Sequence, residues 1–264
     1  MISVVVATYN DPRRLRLCLH GLLRQTLTDF ELVVVHDGGD RQINLPVYAE
    51  MRRYGREISE LWLGPETTDF RLAAVRNFGL QHAHGERTLF IDGDCIVAPN
   101  VVAEHAAYAN QPVLVNGARN HLPPELLDRL QPEDFPSLDS LTTQQDTRYW
   151  YGGARFADVH AQLKRGKKTI LRLNPNLFWG FQVSAPTALA RKIRGYDESF
   201  VGWGGEDQNF AGRMKRAGAT LIGRFDLLCY HLDHPRHPSA PIRPVPADPP
   251  RSKARSSPGR PSRP

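Results

Sequence analysis

The chain opens on Ile2-Ser3-Val4-Val5-Val6-Ala7, a nearly unbroken apolar run rich in β-branched residues. Polar and apolar positions do not alternate in it, as they would in a strand with one wet face. The run therefore predicts a strand covered on both sides, the habit of parallel sheets. Asp11-Pro12 predicts a helix start, with the aspartate as cap and proline at the first helical position. Leu15, Cys18, Leu19, Leu22 and Leu23 then share one helical face. Glu31 to His36 (ELVVVH) repeats the buried-strand pattern. Strand, helix and strand in this order predict a βαβ opening.

Further along, Asp69 to Ala83 predicts a helix with its stop near Gly85. Thr88-Leu89-Phe90-Ile91 predicts a strand that runs straight into Asp92-Gly93-Asp94. Residues 120 to 175 lose regularity around Pro123-Pro124, Pro132, Pro136 and Gly152-Gly153, which predicts an insertion with one or two short helices. Gln182 to Ala185 reads as a late strand, Glu206 to Ala217 as a helix closed by Gly218, and Leu227 to Tyr230 as the last strand. The expected fold class is α/β, a single Rossmann-like domain around a mostly parallel, twisted sheet.

Composition fits that picture. A chain of 264 residues with 41% apolar side chains can fill the core of one full domain. The net charge of +6 points at first to an acidic partner, but its location removes the point. Between Pro235 and Pro264 stand seven basic residues (Arg236, Arg243, Arg251, Lys253, Arg255, Arg260 and Arg263) and a single acid, Asp248, so the tail alone holds the surplus. That stretch also carries ten of the 21 prolines and hardly any large apolar side chains. It cannot bury enough surface to offset ordering, so residues 1–237 are expected to fold and 238–264 to form a disordered Pro/Arg-rich tail. No specific nucleic-acid partner is expected; a weak attraction of the tail to an anionic membrane surface is. Three scattered cysteines, Cys18, Cys95 and Cys229, imply a reducing compartment or at least no reliance on bridges. Neither a signal peptide nor a membrane-spanning stretch is read, so the expected location is cytoplasmic, with peripheral contact at the inner face of the membrane.

Several residues can carry chemistry. Alternate carboxylates Asp92 and Asp94 at the end of a buried strand can together reach a hard divalent cation, which in turn can bridge a diphosphate. The plain alternative is an Asp-Gly turn. Gly202-Trp203-Gly204-Gly205-Glu206-Asp207 combines close-approach glycines, an indole wall for a sugar face and two acids opening a helix. Acids at a helix N-terminus are also favoured by the dipole alone. His231 and His234 are spaced to share one metal. Asp37 ends the second strand, where it can accept from a ribose or a base or else serve a turn. Arg71 and Arg76 precede the Asp-Gly-Asp strand and are candidates for facing phosphates.

The order of these segments is more specific than any one of them. ISVVVATYN, ELVVVHDGG, VRNFGLQHAHGE, LFIDGDCI and GYDESFVGWGGEDQNFAGRMKRAG succeed one another as in family 2 glycosyltransferases of the GT-A fold, which the chain resembles over roughly residues 1 to 234. The WGGED segment is similar to the C-terminal part of β-1,4-galactosyltransferases and of bacterial chondroitin-type polymerases. The resemblance implies an inverting, metal-dependent transfer of a hexose or N-acetylhexosamine from a UDP-sugar to an acceptor hydroxyl of a glycan or another molecule. It implies Thr8, Asp37, Arg76 and Asp92 at the donor, with Asp92 and Asp94 as the DxD motif. Asp94 and His231 become metal ligands for Mn2+ or, as second choice, Mg2+. Asp207 becomes the catalytic base, and Trp203 and Glu206 acceptor contacts. One departure stands out: where the family usually has two acids, this chain has His36-Asp37.

Two rivals share parts of this pattern. A sugar-phosphate nucleotidyltransferase would want a glycine-rich loop after the first strand, where Thr8-Tyr9-Asn10-Asp11-Pro12 has none. A carbohydrate-binding protein on a degenerate enzyme scaffold would have no need to keep the acids and the histidine.

Overall fold

The computed structural model describes residues 1–64, 69–122, 124–141, 150–151, 154–155, 170–202 and 204–234. In chain order the strands are β1 Ile2–Thr8, β2 Glu31–His36, β3 Ser59–Trp62, β4 Arg87–Asp92, β5 Cys95–Val97, β6 Val113–Leu122, β7 Trp150–Tyr151, β8 Ala154–Arg155, β9 Ile170–Arg172, β10 Gln182–Pro186 and β11 Thr220–Leu232. The α-helices are α1 Pro12–Leu23, α2 Leu45–Arg53, α3 Leu72–His82, α4 Val101–Ala106, α5 Pro124–Leu127, α6 Phe135–Leu141, α7 Thr187–Lys192 and α8 Glu206–Arg216.

Nine of the strands form one sheet in the order β3-β2-β1-β4-β10-β6-β11-β5, with β9 added to β11. Strands β3, β2, β1 and β4 are parallel; β10 is antiparallel to both β4 and β6, and β11 runs parallel to β6. The fold is thus α/β around a mixed, mostly parallel sheet. The first half follows the hydrophobic pattern closely. Ile2 to Ala7, Leu32 to His36 and Arg87 to Ile91 are buried, because α1 and α3 and their neighbours cover both faces. Asp11 caps α1, its carboxylate accepting from Arg14 N at 3.0 Å, with Pro12 at the first helical position.

Other expectations are adjusted. Helix α3 ends at His82 with Ala83 extended, so Gly85 is not its stop. A Cβ at Gly85 would stand 2.5 Å from Ser3 N. The glycine lets the chain pass against β1. The last strand begins at Thr220 rather than Leu227, and its ladder with β6 shifts register between Gly223 and Leu228. The region from 120 starts with the end of β6, then α5 and α6; Leu127, Leu130, Phe135 and Leu138 of this stretch build a second apolar cluster with Leu17, Tyr230 and Leu232. That cluster holds the end of β11 against α1. All three cysteines are free and buried. The expected tail at 238–264 lies outside the described residues, as does Trp203. Among the described residues no helix is long and apolar enough to cross a membrane.

Candidate functional site

The carboxyl ends of β1, β2 and β4 meet, as ligand-binding edges of open α/β sheets do. Thr8 closes β1, Asp37 follows β2, and Asp37 N donates to Thr8 O at 3.0 Å. Asp92 ends β4 opposite Ala7, and Gly93 N donates to Ala7 O at 2.7 Å. A Cβ at Gly93 would meet Ala7 O at 2.8 Å and Thr8 Cβ at 2.9 Å, so a glycine between the two acids lets the turn lie flat on β1. The Asp37 carboxylate is held by Arg71, which donates from its backbone N at 2.9 Å and from Nε at 2.8 Å. The loop after β1 is pinned to the loop after β2 by Asn10, whose Oδ1 accepts from Asp40 N at 2.9 Å. His36, where an acid was expected, is core. It stacks on Trp62 with centroids 3.8 Å apart, shares a hydrogen bond with the Tyr48 hydroxyl, and is pushed down to about 4 by burial and then by Arg41. It is therefore neutral.

One arginine organises the acids. Arg76, on α3, is 1% exposed. Its Nη1 donates to Asp207 Oδ1 at 2.7 Å and lies 3.7 Å from Glu206 Oε1; its Nη2 donates to Asp92 Oδ1 at 2.9 Å and to Gly180 O at 3.0 Å. The guanidinium also sits 5.2 Å from the ring centre of Tyr196, which stacks on Phe210 of α8. Burial raises the Asp92 carboxyl above the usual range, Arg76 opposes this, and Asp94 and Asp207 add to it. Glu206 is pushed up to about 8, by burial first and then by the charge of Asp207. Helix α8 enters this cluster from Gly202, Gly204 and Gly205, whose φ values of 92°, 95° and 94° are left-handed and costly for any other residue. Asp207 Oδ2 accepts from Gly180 N at 2.7 Å. A Cβ at Gly180 would lie 2.0 Å from Asp207 Oδ1 and 2.6 Å from Arg76 Nη1.

Beside the acids lies a histidine cradle. Asp94 Oδ2 receives His234 Nε2 at 3.0 Å and has His231 Nε2 at 3.4 Å. The ligand atoms of Asp94, His231 and His234 lie within 4.8 Å of one another. Burial alone would raise the Asp94 carboxyl; the bonds from His231 and His234 outweigh it and hold the group well below the usual range. One carboxylate and two imidazoles fit a divalent cation of the Mn2+ to Zn2+ series better than Mg2+, which prefers oxygen throughout. The segment is anchored by Leu232 N donating to Asp94 O at 2.8 Å, and by Arg14 donating to the carbonyls of Leu232 at 3.0 Å and Asp233 at 2.8 Å.

The structure thus gathers Arg76, Asp92, Glu206 and Asp207 into one cluster, Asp94, His231 and His234 into a second, and Thr8 and Asp37 into a third beside them. Arg76 touches carboxylates. The residues that pattern reading passes over are Gly180, Trp179, Asn116 and Asp233. Trp179 is 40% exposed, and Asn116 pins it by donating to its carbonyl at 2.8 Å and accepting from its N–H at 3.3 Å. In the sequence, a tryptophan three residues ahead of the strand expected at Gln182 to Ala185 is the signal that was present.

The model of glycosyl transferase family 2 matches residues 3–167. The chain belongs to that family. A second model, described as the N-terminal domain of galactosyltransferase, takes over at residues 165–238 of this family 2 chain and so covers α8 and the histidines. Validoxylamine A glucosyltransferase of Streptomyces hygroscopicus subsp. jinggangensis is 31% identical over 234 residues, 84% of this chain and 53% of that protein. Hyaluronan synthase of Pasteurella multocida is 27% identical over 249 residues, 89% of this chain and 25% of that one. The family 2 chain spans about half, or less, of the length of these relatives. Among solved structures, S. aureus TarS 1-349 in complex with UDP-GlcNAc superposes with a TM-score of 0.63 at 18% identity, over 91% of this chain and 61% of that one. A mannosyltransferase from Pyrobaculum calidifontis in complex with GDP-Man and Mn2+ gives 0.59 at 17% identity, over 88% and 56%. At these identities the likeness establishes the GT-A fold.

Proposed function

We propose that residues 1–237 form a metal-dependent glycosyltransferase that moves a hexose or N-acetylhexosamine from a UDP-sugar to an acceptor hydroxyl, with inversion. The observation that carries this reading is the adjacency of two differently built acid clusters on one DxD turn. Asp94 belongs to a metal-type donor set, while Asp92 and Asp207 share the buried guanidinium of Arg76. Family membership and relatives that use sugar donors support it. Thr8 and Asp37 stand where a nucleoside would meet the ends of β1 and β2. Asp94, His231 and His234 hold the cation, which when bound supplies positive charge to the departing diphosphate.

Asp207 takes the proton from the acceptor hydroxyl. Each carboxylate oxygen carries two lone pairs, so the bonds to Arg76 and to Gly180 N–H leave a free pair on each. Those two donors also fix the plane of the carboxylate, which is what a base needs for a defined approach. Glu206, pushed up to about 8, is held protonated at neutral pH and can donate to an acceptor oxygen. One base and no protein nucleophile imply a single displacement, which inverts the anomeric centre. Trp203 and the exposed Trp179 supply aromatic faces for sugar rings.

Asp94→Ala removes one oxygen ligand and one charge, so Mn2+-dependent UDP-sugar turnover is expected to vanish, together with the gain in UDP affinity that Mn2+ should give the parent chain in calorimetry. Parent turnover undiminished in excess EDTA would refute the metal role. Gly180→Ala forces the Asp207 carboxylate and Arg76 aside. A displacement of about 1 Å costs on the order of 10²-fold in rate, so kcat should fall by about that much with UDP·Mn2+ affinity kept. An alanine variant with parent kcat would show that the Asp207 position does not matter.

A further inference from the structure

Strands β6 and β11 run parallel with His121 and His231 as direct partners, which sets the two imidazoles side by side, centroids 4.9 Å apart. Both rings turn Nδ1 toward the same oxygen, Asp233 Oδ1. The contact is 2.8 Å from His231, and His121 makes a still closer one. Asp233 stands just past the end of β11, and its own carbonyl is gripped by Arg14 at 2.8 Å. Arg14 in turn is salt-bridged to Asp11, the residue that caps α1. Asp233 is thus fixed from three directions: through its carboxylate by His231 on the strand behind it and by His121 on the neighbouring strand, and through its backbone carbonyl by the first turn of α1. None of these contacts reaches the acid cluster around Arg76.

The arrangement has a chemical consequence. A carboxylate oxygen only accepts, so each Nδ1 that bonds it must carry the hydrogen. A neutral imidazole has one N–H, and placing it on Nδ1 leaves Nε2 with the bare lone pair. For His231 that Nε2 is the atom facing Asp94, at 3.4 Å from Oδ2. The bond to Asp233 also stops the ring from turning about its χ angles. We infer that Asp233 is a positioning residue for the metal site: it selects the Nδ1–H tautomer of His231 and aims Nε2 at the ion shared with Asp94, while His121 holds Asp233 in place. Carboxylate partners of this kind add to ligand basicity and are typically worth 10–100-fold in metal affinity. The inference rests on the metal reading proposed above and adds two residues to it. His121, Asp233 and His231 also meet the distance requirement for a metal group of their own. Their sharing of one oxygen, and of an imidazole already directed at Asp94, favours support over ligation.

The experiment uses the full chain, Mn2+ as the probe and two readouts. Free Mn2+ measured by electron paramagnetic resonance gives the affinity and the stoichiometry. For Asp233→Ala the dissociation constant should rise roughly 10–100-fold. For Asp233→Asn, whose side-chain carbonyl still accepts from Nδ1, it should rise only a few-fold. The second readout needs no metal. Long-range proton–nitrogen spectra of the 15N-histidine-labelled chain, at alkaline pH, should show His231 as the Nδ1–H tautomer in the parent and in Asp233→Asn. In Asp233→Ala it should revert toward the Nε2–H form that free imidazoles prefer. A parent His231 in the Nε2–H form overturns the inference, as does an alanine variant with parent affinity. Two Mn2+ per parent chain would assign His121 and Asp233 to ligation and overturn it as well. A parent chain that binds no Mn2+ removes the metal reading itself, whatever the spectra report.

Discussion

Asp207→Asn should lower kcat by roughly 10²–10⁴-fold, the usual worth of a positioned proton acceptor, with UDP·Mn2+ affinity near that of the parent. The structure sharpens the comparison. Both partners of the carboxylate, Arg76 Nη1 and Gly180 N–H, are donors. An asparagine can accept from only one of them, and its NH2 group then faces the other. A stability loss of about 1–3 kcal/mol is therefore expected alongside the kinetic one. The two are separable: turnover is measured on protein shown to be folded by its unfolding curve, at saturating donor and acceptor. If Asp207 served only the start of α8, asparagine would cap nearly as well and kcat would barely change. A folded asparagine variant that turns over near the parent rate ends the mechanism proposed here, even with the fold untouched.

Replacing Arg76 by methionine should have the largest effect on stability. Methionine fills similar space but leaves Asp92, Glu206 and Asp207 around a site without its cation. Removing one partner of a buried ion pair typically costs roughly 3–5 kcal/mol. The loss should depend on pH. Burial already holds the Asp92 and Glu206 carboxyls above their ordinary values with Arg76 present, and Glu206 is pushed up to about 8. Without Arg76 both go higher. An acid whose folded pKa exceeds its unfolded value near about 4 binds its proton more tightly when folded, so the folded state loses ground as pH rises past that value. Below the parent's own folded values both chains lose ground alike, so the deficit of Arg76→Met relative to the parent should be flat there and widen as pH rises past them, for Glu206 above about 8. Urea unfolding at several pH values reads it directly. A deficit independent of pH would mean that Arg76 acts through packing alone.

The contrast between these residues shows how far a linear reading reaches. Strands β1, β2 and β4 were legible because burial on both faces leaves a continuous apolar run. Helix α1 was legible because its cap and proline are local. Strand β6 was not, since Asn116, Arg119, Asn120 and His121 break any apolar pattern. Asn116 is spent on the backbone of Trp179 and of Gln182, at 2.8 and 3.1 Å, a purpose visible only once β10 lies alongside. The start of β11 was hidden in the same way by Gly223, Arg224 and Asp226. Of the candidate site, Asp92, Asp94 and Asp207 could be singled out because acids at strand and helix ends are chemistry in themselves, and His231 through the succession of motifs; the fold brings Asp92 to Asp207 and Asp94 to His231. The place of Arg76 was not readable. Its partners lie 16 and 131 residues away along the chain, and a helical arginine is most often solvated. Gly180 carries no side chain to read, and its meaning is the space it leaves.

The interrupted ladder between β6 and β11 makes the facing of the cradle a matter of counting. From Gly223 to Leu228 β11 advances five residues while β6 advances two, from Asn116 to Ala118. The surplus of three is odd, and side chains on a strand change face at every step. The stretch therefore sets which side of the sheet His231 looks out on, independently of what residues occupy it. Losing one residue there, with the surplus over β6 kept at three, would turn the imidazole to the opposite face. Losing two would restore the face but draw it about 7 Å along the strand, past Asp94. In descendants of this gene, divergence across 224–227 is consequently expected to accumulate through exchange of residues and hardly at all through change of length.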